Sequence, residues 1–358
     1  MRKLQITLFT FLTLFSVNAF AQTVEVQEKS LKSKTSSARY HNPVFEPILA
    51  DPTVVKADDG WFYAYGTQDN WGDGNPAHLV AIVRSKNLVN WTYVKDAFLT
   101  KPSWKEKGGI WAPDVVRVNG KYYMYYAFST WGDPNPGIGL AIANSPSGPF
   151  MDQGKLLLSQ EVNVPNSIDP FYIEDLGKKY LFWGSFSDAF TQGTYGVELS
   201  NDGKSIPDLA KKIKVAAGDF EAVMIHKKDG FYYFLGSKES CCEGAKSKYN
   251  VRVGRSKNLF GPYLDKEGKD LRERGVGTVL VQRTEKIAGP GHNSRLITDS
   301  KGNDWMLYHA MDVNNPTVST GANRRFLMLD KVTWKDGWPE ILNAEPSMEE
   351  HEGPFFKL

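Results

Sequence analysis

The sequence predicts an all-β fold, a five-bladed β-propeller, on three observations. One unit recurs five times, each copy holds a hairpin closed by a turn with Gly or Asp, and helical periodicity is nearly absent. Every copy opens on an apolar or acidic residue, runs through a strand into the turn, and returns as an aromatic-rich strand. The first two are Asp51-Pro-Thr-Val-Val with Gly60-Trp-Phe-Tyr-Ala-Tyr-Gly, and Asp114-Val-Val-Arg-Val with Gly120-Lys-Tyr-Tyr-Met-Tyr-Tyr. Asp169-Pro-Phe-Tyr-Ile with Gly177-Lys-Lys-Tyr-Leu-Phe-Trp-Gly is the third, and Glu221-Ala-Val-Met-Ile with Gly230-Phe-Tyr-Tyr-Phe-Leu-Gly the fourth. Asn293-Ser-Arg-Leu-Ile with Gly302-Asn-Asp-Trp-Met-Leu-Tyr-His is the last.

Turns such as Asp59-Gly60, Asn119-Gly120 and Asp229-Gly230, flanked by β-branched and aromatic residues, make each pair a hairpin. A third strand follows in Leu79–Ser85, Gly139–Ser145 and Val251–Ser256, then the related turns Lys86-Asn-Leu, Ser145-Pro-Ser-Gly and Lys257-Asn-Leu. Trp91-Thr-Tyr-Val and the segment after Gly148-Pro-Phe150 supply a fourth. Four antiparallel strands per unit, at openings 51, 114, 169, 221 and 293, are blade-sized repeats. A two-sheet sandwich would not demand such a repeated unit.

Outside the repeats, Arg2 and Lys3, the apolar run Leu4–Val17 and the small-x-small Ala19-Phe20-Ala21 read as a signal peptide over residues 1–21. A Ser-, Lys- and Glu-rich stretch predicts a flexible leader over 22–40, leaving 41–358 as one catalytic propeller. The chain is therefore expected to be exported, to the periplasm or beyond, and to act as a monomer. Lys and Arg number 43 against 41 Asp and Glu, and the signal removes two bases, so the mature chain is close to neutral. That balance favours a neutral ligand and gives no case for nucleic acid or a membrane surface. Cys241 and Cys242, the only cysteines, are adjacent; a bond between them would close no useful loop, so they are expected to be packed thiols.

The innermost strand of each blade lines the central channel, so residues at equivalent positions of it converge. Asp51, Asp114, Asp169 and Glu221 are read as such equivalents. Asp-Pro is also a common turn starter, but four acids in register oppose folding through like-charge repulsion and point to a site that needs carboxyls. Glycosidic hydrolysis needs a protonated carboxyl for the leaving oxygen and an ionised one to activate water. Trp71, Trp104, Trp111, Trp131 and Trp183 sit beside the openings and are candidate sugar-stacking faces, with Asp114 as a further binding residue.

The landmarks Ala50-Asp51-Pro, Trp111-Ala-Pro-Asp114, Ser167-Ile-Asp169-Pro, Phe220-Glu221-Ala, Cys241-Cys242-Glu-Gly and Gly289-Pro-Gly-His292-Asn-Ser occur in order at blade spacing. Together they resemble glycoside hydrolase family 43, and within it the endo-acting α-1,5-L-arabinanases, over Asn42 to about Pro346. The resemblance implies arabinan as substrate and an inverting mechanism. It makes Asp51 the general base, Asp169 the carboxylate that tunes the acid, and Glu221 the general acid. It also implies that His292 helps hold a calcium ion in the channel, largely with waters. Inversion asks for about 6.5–9.5 Å between base and acid. Val223 departs from the pattern, standing where relatives commonly carry Pro, and Glu243 is the competing acid. The rival readings are an exo-acting α-L-arabinofuranosidase or β-xylosidase, a more distant fructosidase, and a sugar-binding propeller without turnover.

Overall fold

A computed structural model describes residues 38–187 and 192–357; the expected signal peptide and the expected leader up to residue 37 lie outside them. The architecture is the five-bladed propeller. Blade 1 consists of β2 (Thr53–Lys56), β3 (Phe62–Tyr65), β4 (Ala81–Ser85) and β5 (Thr92–Asp96). Blade 2 holds β6 (Gly109–Val118), β7 (Lys121–Ser129), β8 (Gly137–Ala143) and β9 (Met151–Leu158). Blade 3 holds β10 (Phe171–Asp175), β11 (Lys178–Trp183), β12 (Gly193–Glu198) and β13 (Ile213–Ala217). Blade 4 holds β14 (Glu221–Lys228), β15 (Phe231–Lys238), β16 (Asn250–Ser256) and β17 (Thr278–Val281). In blade 5, β18 (Ile287–Gly291) and β19 (Ile297–Thr298) both pair with β20 (Asp304–Asp312), followed by β21 (Phe326–Lys335) and β22 (Trp338–Glu340). Helix among the described residues is confined to Ser159–Val162 and three single 3₁₀ turns.

The aromatic strands that mark the repeat are the packing layers. Their side chains alternate across each twisted sheet and meet those of the next blade. Phe182, Phe220, Tyr233, Phe234 and Tyr308 belong to one continuous core spanning blades 3 to 5. Tyr65, Tyr126 and Phe128 join blades 1 and 2 in another.

The N-terminal segment closes the ring. Val44 N–H donates to Leu327 O, Asn42 Nδ2 donates to Leu329 O, and Leu329 N–H donates back to Asn42 Oδ1, so residues 42–45 run beside β21. The short strand β1 (Arg39–Tyr40) pairs with β23 (His351–Glu352) and buries Tyr40. The end of the expected leader is thus folded: Tyr40 has apolar area to bury and an Oη that donates to Leu329 O.

The entrances to the innermost strands share one backbone feature that corrects the expected register. Thr53, Asp114, Phe171 and Met224 pair with Tyr65, Tyr125, Phe182 and Leu235, and Ser294 N–H donates to Leu307 O in the same position. Two residues before each of these, the chain adopts a left-handed conformation: φ is 52° at Asp51, 41° at Ala112, 58° at Asp169, 56° at Ala222 and 48° at His292. The equivalent set is therefore Asp51, Ala112, Asp169, Ala222 and His292. Asp114 lies two positions further into its strand and Glu221 one position earlier. In β6 and β14 the same entry is accompanied by bulges, between Trp111 and Asp114 and between Glu221 and Met224.

Candidate active site

Four of the five left-handed residues give their backbone N–H to a side chain of the preceding blade. Asp51 N–H donates to His309 Nδ1, Ala112 N–H to Thr67 Oγ1, Ala222 N–H to Asp169 Oδ2 and His292 N–H to Ser237 Oγ. A non-glycine residue in this region carries strain, which such bonds offset and which clusters at functional sites. The result is a cleft of about 1130 Å³ at the channel mouth, with Asp51, Asp169, Glu221 and His292 on its floor. The three expected catalytic carboxyls and the expected metal ligand are brought together.

Asp51 is nearly buried. Arg325 Nη1 reaches both its oxygens, at 3.0 and 3.2 Å, and Thr67 Oγ1 donates to Oδ2 at 2.5 Å. His292 Nδ1 lies 3.3 Å from Oδ1. Burial pushes the carboxyl up, but Arg325 and His292 outweigh it and hold Asp51 well below the usual carboxylate range. Asp51 is thus an anion.

Glu221 sits in the opposite environment. Ser185 Oγ and Tyr249 Oη each donate to it at 2.6 Å, and no cation pairs with it among the described residues. Burial, helped by the charge of Asp169, pushes it up to about 8 despite those two bonds. Burial also raises Asp169, to about 6, with His292 pulling the other way. At neutral pH Glu221 therefore keeps its proton while Asp169 and Asp51 are ionised. Gly291 is needed here, because a Cβ on it would lie 2.1 Å from the Tyr249 ring.

The two histidines divide the same way. Burial opposes charge on His292, but Asp51 and then Asp169 favour it, so its pKa is raised to about 9. Burial lowers His309 to about 4, and the neutral ring can accept the Asp51 N–H. None of Arg325, His309, Tyr249, Thr67 and Ser185 is read as a site residue from the sequence. A partial signal exists in Gly66-Thr67, Gly184-Ser185 and Gly236-Ser237, where Gly then Thr or Ser follows the aromatic strand in three blades.

Of the aromatic candidates, Trp111 and Trp131 line the cleft and lean on each other at 5.6 Å, with Trp131 79% exposed. Trp183 does not: it is fully buried between blades 2 and 3, with Nε1 donating to Ser167 Oγ. Its place as the last residue of β11 points it into the packing layer. Trp71 is likewise displaced, packed on His78 at 4.2 Å and against Tyr93 and Phe45, away from the cleft lining. Trp104 packs on Phe128 and donates to Tyr126 Oη.

Asp114 is also corrected. Lying two residues deeper than Asp51, it is buried below the cleft and accepts from Thr53 Oγ1, Tyr172 N–H and Arg295 Nη2. It ties together blades 1, 2, 3 and 5 and does not line the cleft. Cys241 and Cys242 are bonded to each other and are not free thiols. The absence of a closed loop removes a stability benefit but does not prevent neighbouring sulfurs from joining, and both residues line the cleft. Glu243 is exposed beside them and does not line it.

A calcium ion at His292 would find one ring nitrogen and few protein ligands. Among the described residues no three His, Cys, Asp or Glu side chains are grouped to hold a metal. The neighbouring Asn293 Oδ1 is buried without a partner among the described residues, an atom that suits a bound water. The residues fit an ion held mostly by water, as calcium's oxygen preference allows.

Residues 40–339 match the family model of glycosyl hydrolases family 43. The chain belongs to this family. The family 43 chain is 33% identical over 306 residues to the extracellular endo-α-(1→5)-L-arabinanase 1 of Bacillus subtilis, covering 82% of this chain and 87% of that protein. It is 30% identical to the extracellular exo-α-(1→5)-L-arabinofuranosidase ArbA of Cellvibrio japonicus, covering 82% and 86%. Its structure is similar to that of the Cellvibrio cellulosa α-L-arabinanase complexed with arabinohexaose, with a TM-score of 0.71, 27% identity and coverage of 84% and 99%.

The two cleft assignments separate in stability. Trp183→Ala is expected to lower the unfolding free energy by about 3–5 kcal/mol. Trp131→Ala is expected to change it by no more than about 0.5 kcal/mol. Denaturant unfolding followed by tryptophan fluorescence measures both, and equal losses would contradict the placements.

Proposed function

We propose that this glycoside hydrolase cleaves internal α-1,5-L-arabinofuranosidic bonds of arabinan with inversion. The observation that carries the proposal is the opposite setting of two carboxyls in one cleft: Asp51 is held by Arg325 and His292, which keep it ionised, and Glu221, buried on two hydroxyl donors, is left protonated by that burial. Asp51 takes a proton from a water as the water oxygen forms the new bond to the anomeric carbon. Glu221 gives its proton to the departing glycosidic oxygen as the old carbon–oxygen bond breaks. Asp169 touches neither proton: with burial as the larger cause, its charge helps keep Glu221 protonated, and its Oδ2 fixes the backbone beside it through Ala222 N–H. Trp111 and Trp131 offer the sugar two apolar ring faces, tilted 48° to each other. Arabinan and endo action are favoured by the similarity to the Bacillus subtilis enzyme, whose name also supports export.

Glu221→Gln should lower turnover of linear α-1,5-arabinan about 10²–10⁴-fold. It should spare much of the activity on an arabinofuranoside whose leaving group departs without a proton. Asp51→Asn should lose both. Chromatography of early wild-type products is expected to give mixed oligosaccharides. Arabinose alone from the start would move the enzyme to exo action, the second reading, which the similarity to the Cellvibrio japonicus exo-enzyme favours. Turnover of xylan but not arabinan would overturn the substrate.

A calcium ion at His292 forms part of the same proposal, as a charge and water-ordering group in the channel. Because His292 holds a proton up to a pH of about 9, the ion must displace that proton. Calcium is therefore expected to raise the melting temperature over a chelator-treated sample, more at pH 8.5 than at pH 6. The same temperature with and without calcium at both pH values would remove the ion.

A further inference from the structure

The Cys241–Cys242 bond has a place in the cleft that neither stability nor the hydrolytic step requires. Both residues are half-buried and line the same cavity as Glu221, and they belong to blade 4, which carries that acid. Glu221 pairs across the sheet with Ser237, and the chain runs on from Ser237 through Lys238 to Glu239. At about 3.3 Å per extended residue, Cys241 can stand no more than roughly 13 Å beyond that pair. Glu239 is left-handed at φ 68°, which ends β15 and turns the pair out of the strand.

The loop is held from behind. Ser247 Oγ donates to Ser240 O, Arg283 reaches the carbonyls of Ala245 and Ser247, and Asn323 Nδ2 of blade 5 donates to Cys242 O. Residues 321–323 of that neighbouring hairpin line the cavity beside the cysteines. Four carbonyls of the loop, those of Ser240, Cys242, Ala245 and Ser247, are thus bound to protein, and Cys241 and Cys242 both line the cleft. Two adjacent side chains locked into one small ring form a rigid, apolar, polarisable face with little conformational freedom to lose on binding. The C–H face of a furanose ring is a surface that such a wall can cover.

We propose that the Cys241–Cys242 disulfide is a substrate-binding platform that contacts sugar units on the leaving-group side of the cut. It rests on the arabinan reading for the identity of the sugar and on blade 4 for the side, since the leaving oxygen is the one Glu221 protonates. The platform acts on binding of longer chains and takes no part in proton transfer.

The test compares wild type and the Cys241→Ser/Cys242→Ser variant on arabinotriose and arabinohexaose. For arabinohexaose the variant's KM should rise about tenfold, the loss of about 1.4 kcal/mol of binding, with kcat changed less than twofold. For arabinotriose the rise should be under threefold, so the wild-type advantage of the longer chain shrinks. Because the bond closes no loop, the melting temperature should stay within a few degrees. Should the variant not fold, wild type opened with a phosphine reductant, its two thiols counted by mass spectrometry, gives the same comparison. KM values for arabinohexaose equal to wild type, or rises equal for both lengths, overturn the platform. Wild type inactive on arabinan would sink the substrate reading alone, and the platform is then read in the same way on short and long chains of the glycan it does cleave.

Discussion

The site depends on one backbone constraint: each innermost strand enters the channel through a left-handed residue whose N–H is, in four blades, held by the blade before it. The bonds that join successive blades at the channel therefore also assemble the site. Left-handed backbone at Ala112 and Ala222 has no side-chain excuse, unlike at the two Asp residues, which tolerate it better. Its persistence in all five blades shows that the geometry belongs to the architecture. The chemistry is then a matter of which side chains occupy, or adjoin, those five turns. Asp51, Asp169 and His292 occupy them, and Glu221 stands one residue before the fourth.

Burying three carboxyls at one point is costly unless their charges are balanced or removed. Both occur here. Arg325 and His292 bring two positive charges to Asp51 and Asp169, and Glu221, which has no ion-pair partner among the described residues, holds a proton. The arrangement that makes the buried cluster tolerable is also the one that separates an acid from a base. Thr67 links the two levels of the account, since the hydroxyl that accepts from the left-handed Ala112 donates to Asp51.

The blades were legible because hairpin chemistry is local: Asp59-Gly60 and Asn119-Gly120 declare their turns within a few residues. Asp51, Asp169, Glu221 and His292 were legible as a group through the repeat and the family resemblance. Their true alignment was not, because in two blades the left-handed entry falls on an alanine, Ala112 and Ala222, which carries no chemical signal of its own. Proline held the better clue, since Asp51-Pro52, Ala112-Pro113 and Asp169-Pro170 each place it directly after the left-handed residue. Trp183 and Trp71 show the other limit: a tryptophan near a blade opening can face the packing layer or a neighbouring loop, and composition does not distinguish these. Contacts between distant segments, such as Arg325 with Asp51 or Arg295 with Asp114, leave no mark in either local sequence.

The central claim is that burial and the charge of Asp169 keep Glu221 protonated while Asp51 is ionised. Its most direct test is the pH dependence of kcat/KM for wild type beside Asp169→Asn. Wild type should lose activity on the alkaline side as Glu221 ionises, near pH 8. Removing the negative charge makes ionisation of Glu221 easier, so in Asp169→Asn that alkaline limb should move to lower pH. A limb that stays in place, or moves upward, would contradict the account.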